Sequence, residues 1–589
     1  MTRPVRHSLV APAIALTLVG AGVGAAPIAS AATPTPPPTV AQATLIAAGN
    51  THTVVVGADG RPYGTGSNGT GQITGTDNPK TTLTPMTGLP SGVHAAAVSA
   101  EFEHSLVLGD DGIPYATGRN GHGQLTDEDE ENPDPQRTTL TPMVGLPSGV
   151  SATAAAAGAN YSLVLGDDGV AYGTGYGSNG QITGNAIRTY TLTPMELPPD
   201  VRAVAIAASV GSHSLVLGDD GIAYGTGYNG YGQLTGTQTT KTTLTPLTGL
   251  PDGVEAIAID AGQFHSLVLG DDGVAYGTGD NRHGELTGEE TELDTLTPLA
   301  GLPSGVDAVA ISAGNFTSVV LGSDGIAYGT GSSDDGRLTG DGSRDTLTPL
   351  AGVPSVTGPI AQISAGSNTT LLLGRNGVVY GTGRNDKGQL TGEPTLEPQR
   401  SLKPLSGQPI VRTSSARITG TRKVGRLLTA RGGTWLPSGA KVDYRWYRGG
   451  KPITSATHRT YRLVRADWKK RIKVRITATL PGSSDATTSA PTARVRLVLK
   501  NTKRPKIRGK KKVGKRLKAT KGRWNATPTR VAYRWYRGKK KIRGAKGGKR
   551  VYRVRKADAG KKLRVRVTAK APYTTAARAT SKKVKIRRR

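Results

Sequence analysis

Three observations predict an all-β chain. A segment of the form HSLVLGDDG returns with anchors at His52, His104, Tyr161, His213, His265, Thr317 and Thr369, spaced 52, 57, 52, 52, 52 and 52 residues apart. Each copy alternates apolar and small residues and is broken by Gly and Asp-Gly turns, the signature of short strands. A second repeat, of period 89, follows beyond residue 408 with the same rhythm of strand-like runs and turn residues. Together these predict a seven-bladed β-propeller followed by two Ig-like β-sandwich domains.

Each unit of the first array reads as a strand (VDAVAISAG), a two-residue loop, a strand (HSLVL), an Asp-Asp-Gly turn and a strand (VAYGTG). A longer NxxGQLTG loop and a short strand (TLTPL) then lead through GLPSG to the next copy. Four strand-like pieces in roughly 50 residues fit a propeller blade, with a β-solenoid as the rival. The first copy begins partway through the unit at Ala43-Thr44-Leu45-Ile46, and the last ends with its own TLTPL equivalent, Ser401-Leu402-Lys403-Pro404-Leu405. That register predicts that the last strand completes a blade begun by the first, closing a ring without open edges.

The pattern G-x-x-H-S-x-x-L…D-G…G-x-N-x-x-G-Q-L runs from Gly262-Gln263-Phe264-His265-Ser266 to Gly279-Asp280-Asn281-Arg282-His283-Gly284-Glu285-Leu286. It resembles the repeat of the regulator of chromosome condensation (RCC1), over about residues 43–406 and in all seven copies. Where that family usually has Trp before the Gly, Thr65, Thr117, Thr174, Thr226, Thr278, Thr330 and Thr382 stand here, each with Tyr two residues earlier. The resemblance implies a seven-bladed propeller more firmly than any activity. In phrases such as Ser304-Gly305-Val306-Asp307-Ala308 the array is also similar to the secreted actinobacterial β-lactamase inhibitor propeller, which implies protein binding.

Composition narrows the function. The 589 residues include 81 Gly, 37 Pro and no Cys, which excludes a disulfide scaffold, a thiol enzyme and a thiolate metal site. Arg3 and Arg6, an apolar run from Leu9 to about Ala26, and Ala29-Ser30-Ala31 read as a signal peptide over 1–31, with an uncleaved anchor as the alternative. A Pro-rich linker (32–42), the propeller (43–406) and basic Ig-like domains at 409–498 and 499–589 follow, and no later segment is expected to span a membrane. The expected location is secreted and extracellular, or associated with the cell wall.

Antiparallel tracing places the two-residue loops and the NxxGQ loops on one rim. All three Phe of the chain, Phe102, Phe264 and Phe316, fall in the two-residue loops. With Tyr176, Tyr228, Tyr231, Arg119, Arg282 and Arg384 on the same rim, they are the predicted partner-binding residues. The alternative is that each Phe packs on its own blade. The opposite rim carries Asp110, Asp111, Asp167, Asp168, Asp219, Asp220, Asp271, Asp272 and Asp324, read as turn formers. The insert Asp127-Glu128-Asp129-Glu130-Glu131, which accounts for the 57-residue spacing, reads as a solvated charge run. No catalytic set, metal or cofactor is expected: His104, His213 and His265 occupy equivalent positions, and Gly-Thr-Gly lacks a phosphate-loop context.

The second repeat aligns Trp435, Tyr444-Arg445-Trp446-Tyr447-Arg448 and Ala466-Asp467 with Trp524, Tyr533-Arg534-Trp535-Tyr536-Arg537 and Ala557-Asp558. Trp446 and Trp535 resemble the core Trp of an Ig third strand, and Ala557-Asp558-Ala559-Gly560 resembles the corner before the sixth. Similar modules recur in secreted actinobacterial proteins. Residues 1–400 hold 16 Lys and Arg against 38 Asp and Glu, whereas 401–589 hold 59 against 4. In Leu563-Arg564-Val565-Arg566-Val567 and Val495-Arg496-Leu497 the apolar residues can face a core while the basic ones line the outside. Arg496, Lys539, Lys540, Lys541, Arg564 and Arg566 are the predicted polyanion-binding residues.

Anionic cell-wall polymers or acidic lipids are the expected partners of this tail, with nucleic acid ranked below them and a merely solubilising halo as the alternative. The sequence thus predicts a secreted, non-enzymatic binding protein whose propeller rim engages an extracellular protein or glycan. Its basic tail would retain it at the anionic envelope. The second reading is an inhibitor of an extracellular enzyme such as a β-lactamase or penicillin-binding protein.

Overall fold

The computed structural model describes residues 45–127, 134–182, 188–288, 291–352 and 359–588. The predicted signal peptide (1–31), the linker (32–42) and all of the acidic insert but Asp127 lie outside them. The first array forms seven four-stranded antiparallel sheets, each built from four consecutive strands. Blade 5 is representative: Ala256–Ala261, His265–Gly270, Ala275–Asp280 and Glu292–Pro298. The second strand is buried along its whole length in blades 2 to 6. A strand covered on both faces by neighbouring sheets loses the apolar–polar alternation of a half-exposed one, which explains the continuous Ser-Leu-Val-Leu run. Apolar clusters accordingly span adjacent blades; Leu215 and Leu217 of blade 4 pack with Val268 and Tyr276 of blade 5.

The first strands touch in a closed cycle, from Ile46–Ala48 of blade 1 through each successive blade to Ile360–Ala365 of blade 7 and back. Leu45 donates its backbone N–H to Gln362 Oε1 and Ala48 donates to Ser364 Oγ, both at 3.0 Å. This cycle makes the array a propeller and removes the solenoid alternative. The mode of closure differs from expectation, however. The last strand, Thr395–Pro404, pairs inside its own blade, and blade 1 holds its own short first strand. The chain enters at a junction between blades, so seven complete sheets close the ring by packing face to face and no sheet is shared between the ends.

The threonines that replace Trp tie neighbouring blades together. Thr117 Oγ1 donates to Gly71 O of the preceding blade at 2.8 Å, Thr174 to Gly123 O at 2.9 Å and Thr226 to Gly180 O at 2.8 Å. The accompanying tyrosines clamp the turns of the opposite rim. Tyr115 donates to Asp111 Oδ2 at 2.7 Å and Tyr276 to Asp272 Oδ2 at 2.6 Å, while the other carboxylate oxygen accepts the N–H two residues on. Burial followed by the adjacent carboxylate pushes these phenols up to about 12. The carboxylates of this rim are therefore engaged as turn formers.

Beyond residue 410 two sets of short antiparallel sheets repeat. In the first, Lys441–Arg448 pairs with Ile472–Leu480; in the second, Arg530–Arg537 pairs with Lys562–Lys570. Trp446 and Trp535 are fully buried and donate Nε1–H to His458 O and Lys549 O. A clasp recurs in both. Asp467 accepts from Arg448 Nε at 2.6 Å and Tyr461 OH at 2.9 Å, and Asp558 accepts from Arg537 Nε at 2.6 Å and Tyr552 OH at 2.7 Å. The first set abuts blade 7, where Gly439 N donates to Asn376 O at 3.2 Å and Gly407 N donates to Pro481 O at 2.9 Å.

Candidate functional site

On the loop rim, Phe264 of blade 5 meets two tyrosines from the NxxGQ loop of blade 4: ring centroids lie 4.8 Å from Tyr231 and 6.3 Å from Tyr228. The loop bearing Phe264 is held close by Gly279, whose φ is +112° and whose hypothetical Cβ would sit 2.3 Å from Phe264 O. A side chain at 279 would displace that loop. Arg282 extends over the Tyr231 ring, 4.7 Å from its centroid. It also binds Asp280 through two hydrogen bonds, at 2.8 and 2.7 Å. Burial alone would raise the Asp280 carboxyl; the Arg282 bonds outweigh it and leave it below the usual carboxylate range. The next blade continues the patch, with Phe316 4.9 Å from His283 and 5.9 Å from the Arg337 guanidinium.

The remaining predicted rim residues form separate groups. Tyr176 packs against His122, 5.3 Å between centroids, and His122 Nδ1 lies 3.2 Å from Arg188 Nη2. Arg119 pairs with Glu103 at 2.9 Å, next to Phe102, whose backbone sits in the left-handed region at φ +39°. Arg384 pairs with Asp386 at 3.4 Å. The three predicted arginines are thus each matched by a carboxylate. All three Phe are half-buried.

Sequence reasoning missed His283, Arg337 and Glu285, although the signal was present. Gln of the G-Q-L motif stands at 72, 124, 181, 233 and 389, but blade 5 has Glu285 and blade 6 has Arg337. At the ordinary position the side-chain oxygen caps a backbone N–H two residues earlier, as Gln233 does for Tyr231. Glu285 keeps that bond to His283 N at 2.8 Å, and burial pushes its carboxyl up to about 7. Arg337 cannot accept; it donates instead to Ser367 O and Asp335 Oδ2, both at 2.8 Å. The array therefore departs from its own repeat on the two adjacent blades that carry Phe264 and Phe316.

Glu101, Gln263, Asn315 and Ser367 surround a gap of about 10 Å³, the room of a single water at most. Burial raises the Glu101 carboxyl to about 7. Among the described residues no His, Asp or Glu group is arranged to hold a metal.

In the basic modules, Lys541, Arg564 and Arg566 gather around Tyr536: Tyr536 pairs with both Lys541 and Arg564 in register, and both guanidiniums lie over its ring. Lys540 lies beside Lys541 on the same short strand, and Lys539 precedes it, exposed. Arg496 lies elsewhere, in the connection between the modules, where it bridges Lys423.

Residues 20–351 match the profile of the RCC1-like domain, and residues 360–389 match the regulator of chromosome condensation (RCC1) repeat. The chain is 27% identical over 372 residues to the E3 ubiquitin-protein ligase HERC2 of Homo sapiens, covering 62% of this chain and only 8% of the ligase. It is 26% identical over 358 residues to the regulator of chromosome condensation of Xenopus laevis, covering 56% of this chain and 81% of that protein. The solved structure of human WBSCR16 superposes with a TM-score of 0.50 at 22% identity, over 56% of this chain and 86% of that one, which speaks for the fold alone.

These relatives correct the expected setting. Chromosome condensation and ubiquitin ligation are intracellular processes, so the prediction of a secreted, extracellular or wall-associated protein is overturned. With it go the extracellular protein or glycan, the wall polymers and acidic lipids as partners, and inhibition of a β-lactamase or penicillin-binding protein. The family match begins at residue 20, inside the segment read as an export signal. RCC1-like propeller domains are non-catalytic scaffolds, which is consistent with a non-enzymatic chain. With more than half its length matched by the profile, this chain belongs to the RCC1-like domain family.

Proposed function

We propose that the chain is a protein-docking scaffold whose partner seats on the loop rim of blades 4 to 6. The observation that carries this reading is the contiguous group of Tyr228, Tyr231, Phe264 and Arg282, continued by His283 and Phe316. Aromatic rings backed by compensated arginines offer large contact area at small desolvation cost, the composition of an interface centre. In this reading residues 43–406 are the propeller, and 409–498 and 499–589 are two basic modules with Ig-like architecture, each built around a buried Trp and an Arg–Asp–Tyr clasp.

The test is affinity capture with the full chain against the same chain carrying Phe264→Ala and Tyr231→Ala. A protein retained by the wild type and lost by the double variant supports the docking rim. Equal retention by both, with the fold intact, removes it.

A further inference from the structure

We propose that the outward face of the last sheet docks the phosphate backbone of a double-helical nucleic acid. The reading is independent of the propeller rim. In strand Lys562–Lys570, Leu563, Val565 and Val567 are fully buried, so Arg564 and Arg566 face the other way. Register places Arg534 opposite Arg566, and Tyr536 opposite Arg564 and Lys541. The Tyr536 ring supports both guanidiniums, at 5.3 and 5.0 Å, and so orients them without using their hydrogen-bond donors. Arg564 Nε is buried and has no hydrogen-bond partner.

The charge of this face has no internal counterpart. Residues 501–589 contain 37 Lys and Arg and a single acid, Asp558. Asp558 is fully buried and consumed by Arg537, Tyr552 and the Arg555 N–H. Among the described residues, Arg537–Asp558 is the one ion pair in this module. Such a surface calls for a continuous polyanion. Alternate residues of a strand stand about 6.8 Å apart, two steps of the roughly 3.4 Å axial rise per charge of one strand of a duplex. An acidic protein segment would also need pockets for its side chains, and this face offers a row of cations. Because guanidiniums already cover Tyr536, its ring is no open platform for an unpaired base, which favours the duplex over a single strand.

The experiment measures fluorescence anisotropy of a labelled duplex DNA of about 20 base pairs with the full chain, over a range of salt where phosphate contacts dominate. The variant Arg534→Gln, Arg564→Gln, Arg566→Gln is compared with an equal-charge control, Lys510→Gln, Lys511→Gln, Lys512→Gln, in an exposed loop. The sheet variant is expected to weaken binding at least about tenfold and to reduce the slope of log K against log salt by about 3, with a smaller loss for the control. The near-ultraviolet circular dichroism of the chain, to which its five Trp contribute, checks the fold. Absence of duplex binding, or equal losses for the two variants, overturns the proposal. So does tighter binding of a single strand, or displacement of the duplex by polyglutamate as effectively as by unlabelled duplex.

Discussion

Thr65 in the first blade donates its hydroxyl to the carbonyl of Gly388 in the seventh at 2.7 Å, across 323 positions of sequence. The same hydroxyl reaches Lys80 O of its own blade at 3.0 Å. Every other blade repeats this bond with its immediate predecessor in the chain, as Thr226 does with Gly180 and Thr382 with Gly336. The seam between the ends is thus made of the same contact as the six internal junctions.

If the seam is equivalent to the other junctions, Thr65→Val and Thr226→Val should cost the same. Each leaves two carbonyls short of a donor, and the buried one should cost about 1–3 kcal/mol. Urea unfolding of the two variants checks this. A Thr65→Val protein as stable as wild type, beside a destabilised Thr226→Val, would mean that the ends are not joined.

The repeated histidines make the propeller acid-sensitive. His52 Nε2 lies 2.8 Å from Ser105 Oγ, and that hydroxyl donates to Gln72 O, so the imidazole must be the donor at Nε2. Nδ1 of His52, His104 and His265 is buried without a partner, and a proton there would create an unsolvated charge. Burial accordingly lowers His52 and His265 to about 4 and His104 and His213 to about 3. Below the ordinary value of 6.5 the unfolded chain takes up protons that the folded chain refuses. Stability should therefore fall by about 1.4 kcal/mol per His per pH unit, starting near pH 6.5 and continuing down to the folded values. Melting temperatures between pH 7 and 4 test it, and Tyr161, which fills the same position in blade 3, predicts that a His104→Tyr variant loses part of the dependence.

Glu285 gives the opposite sign. Its folded carboxyl titrates near 7, above its ordinary value of 4.5, so the folded protein binds the extra proton between these limits. The contribution to stability is fully present below pH 4.5 and is lost as pH rises through 7. Glu285→Gln restores the residue of five other blades and keeps the acceptor for His283 N. It should leave stability unchanged near pH 4.5 and raise it by about 1–3 kcal/mol at pH 8. A variant less stable than wild type at pH 8 would show that the carboxylate is satisfied there.

Much of this was legible because it is repeated. The Asp-Asp-Gly turns, the buried second strands and the His positions each do one local job several times over, and periodic residues announce periodic structure. Closure was misread because the phase of a circular repeat is arbitrary: the three residues Ile46–Ala48 look like a fragment and are a complete strand. The rim aromatics were visible as a composition bias. The partner of Arg282 was not, because Asp280 closes the last residue of a strand and reaches its arginine across a turn, a contact that no strand or helix spacing encodes. Arg337 and Glu285 were hidden by the habit of reading a repeat through its consensus, when the departures mark the blades that differ.

The twin clasps of the basic modules separate buried from diffuse electrostatics. Asp558 has no exposed surface, and Arg537 and Tyr552 both donate to it. Asn in its place keeps the shape but removes the charge that Arg537 was folded against, so Asp558→Asn should destabilise the last module by about 3–5 kcal/mol. Asp467→Asn should do the same to the first, because Arg448 and Tyr461 repeat the geometry. Salt distinguishes this loss from the repulsion among the surface cations. Added salt screens exposed charges and should stabilise wild type and variant alike, while the difference between them stays nearly constant, since a buried pair is screened far less. Thermal melts at low and high ionic strength measure both quantities. A difference that vanishes in salt would place the role of Asp558 in surface neutralisation, and the clasp would not be what holds the module together.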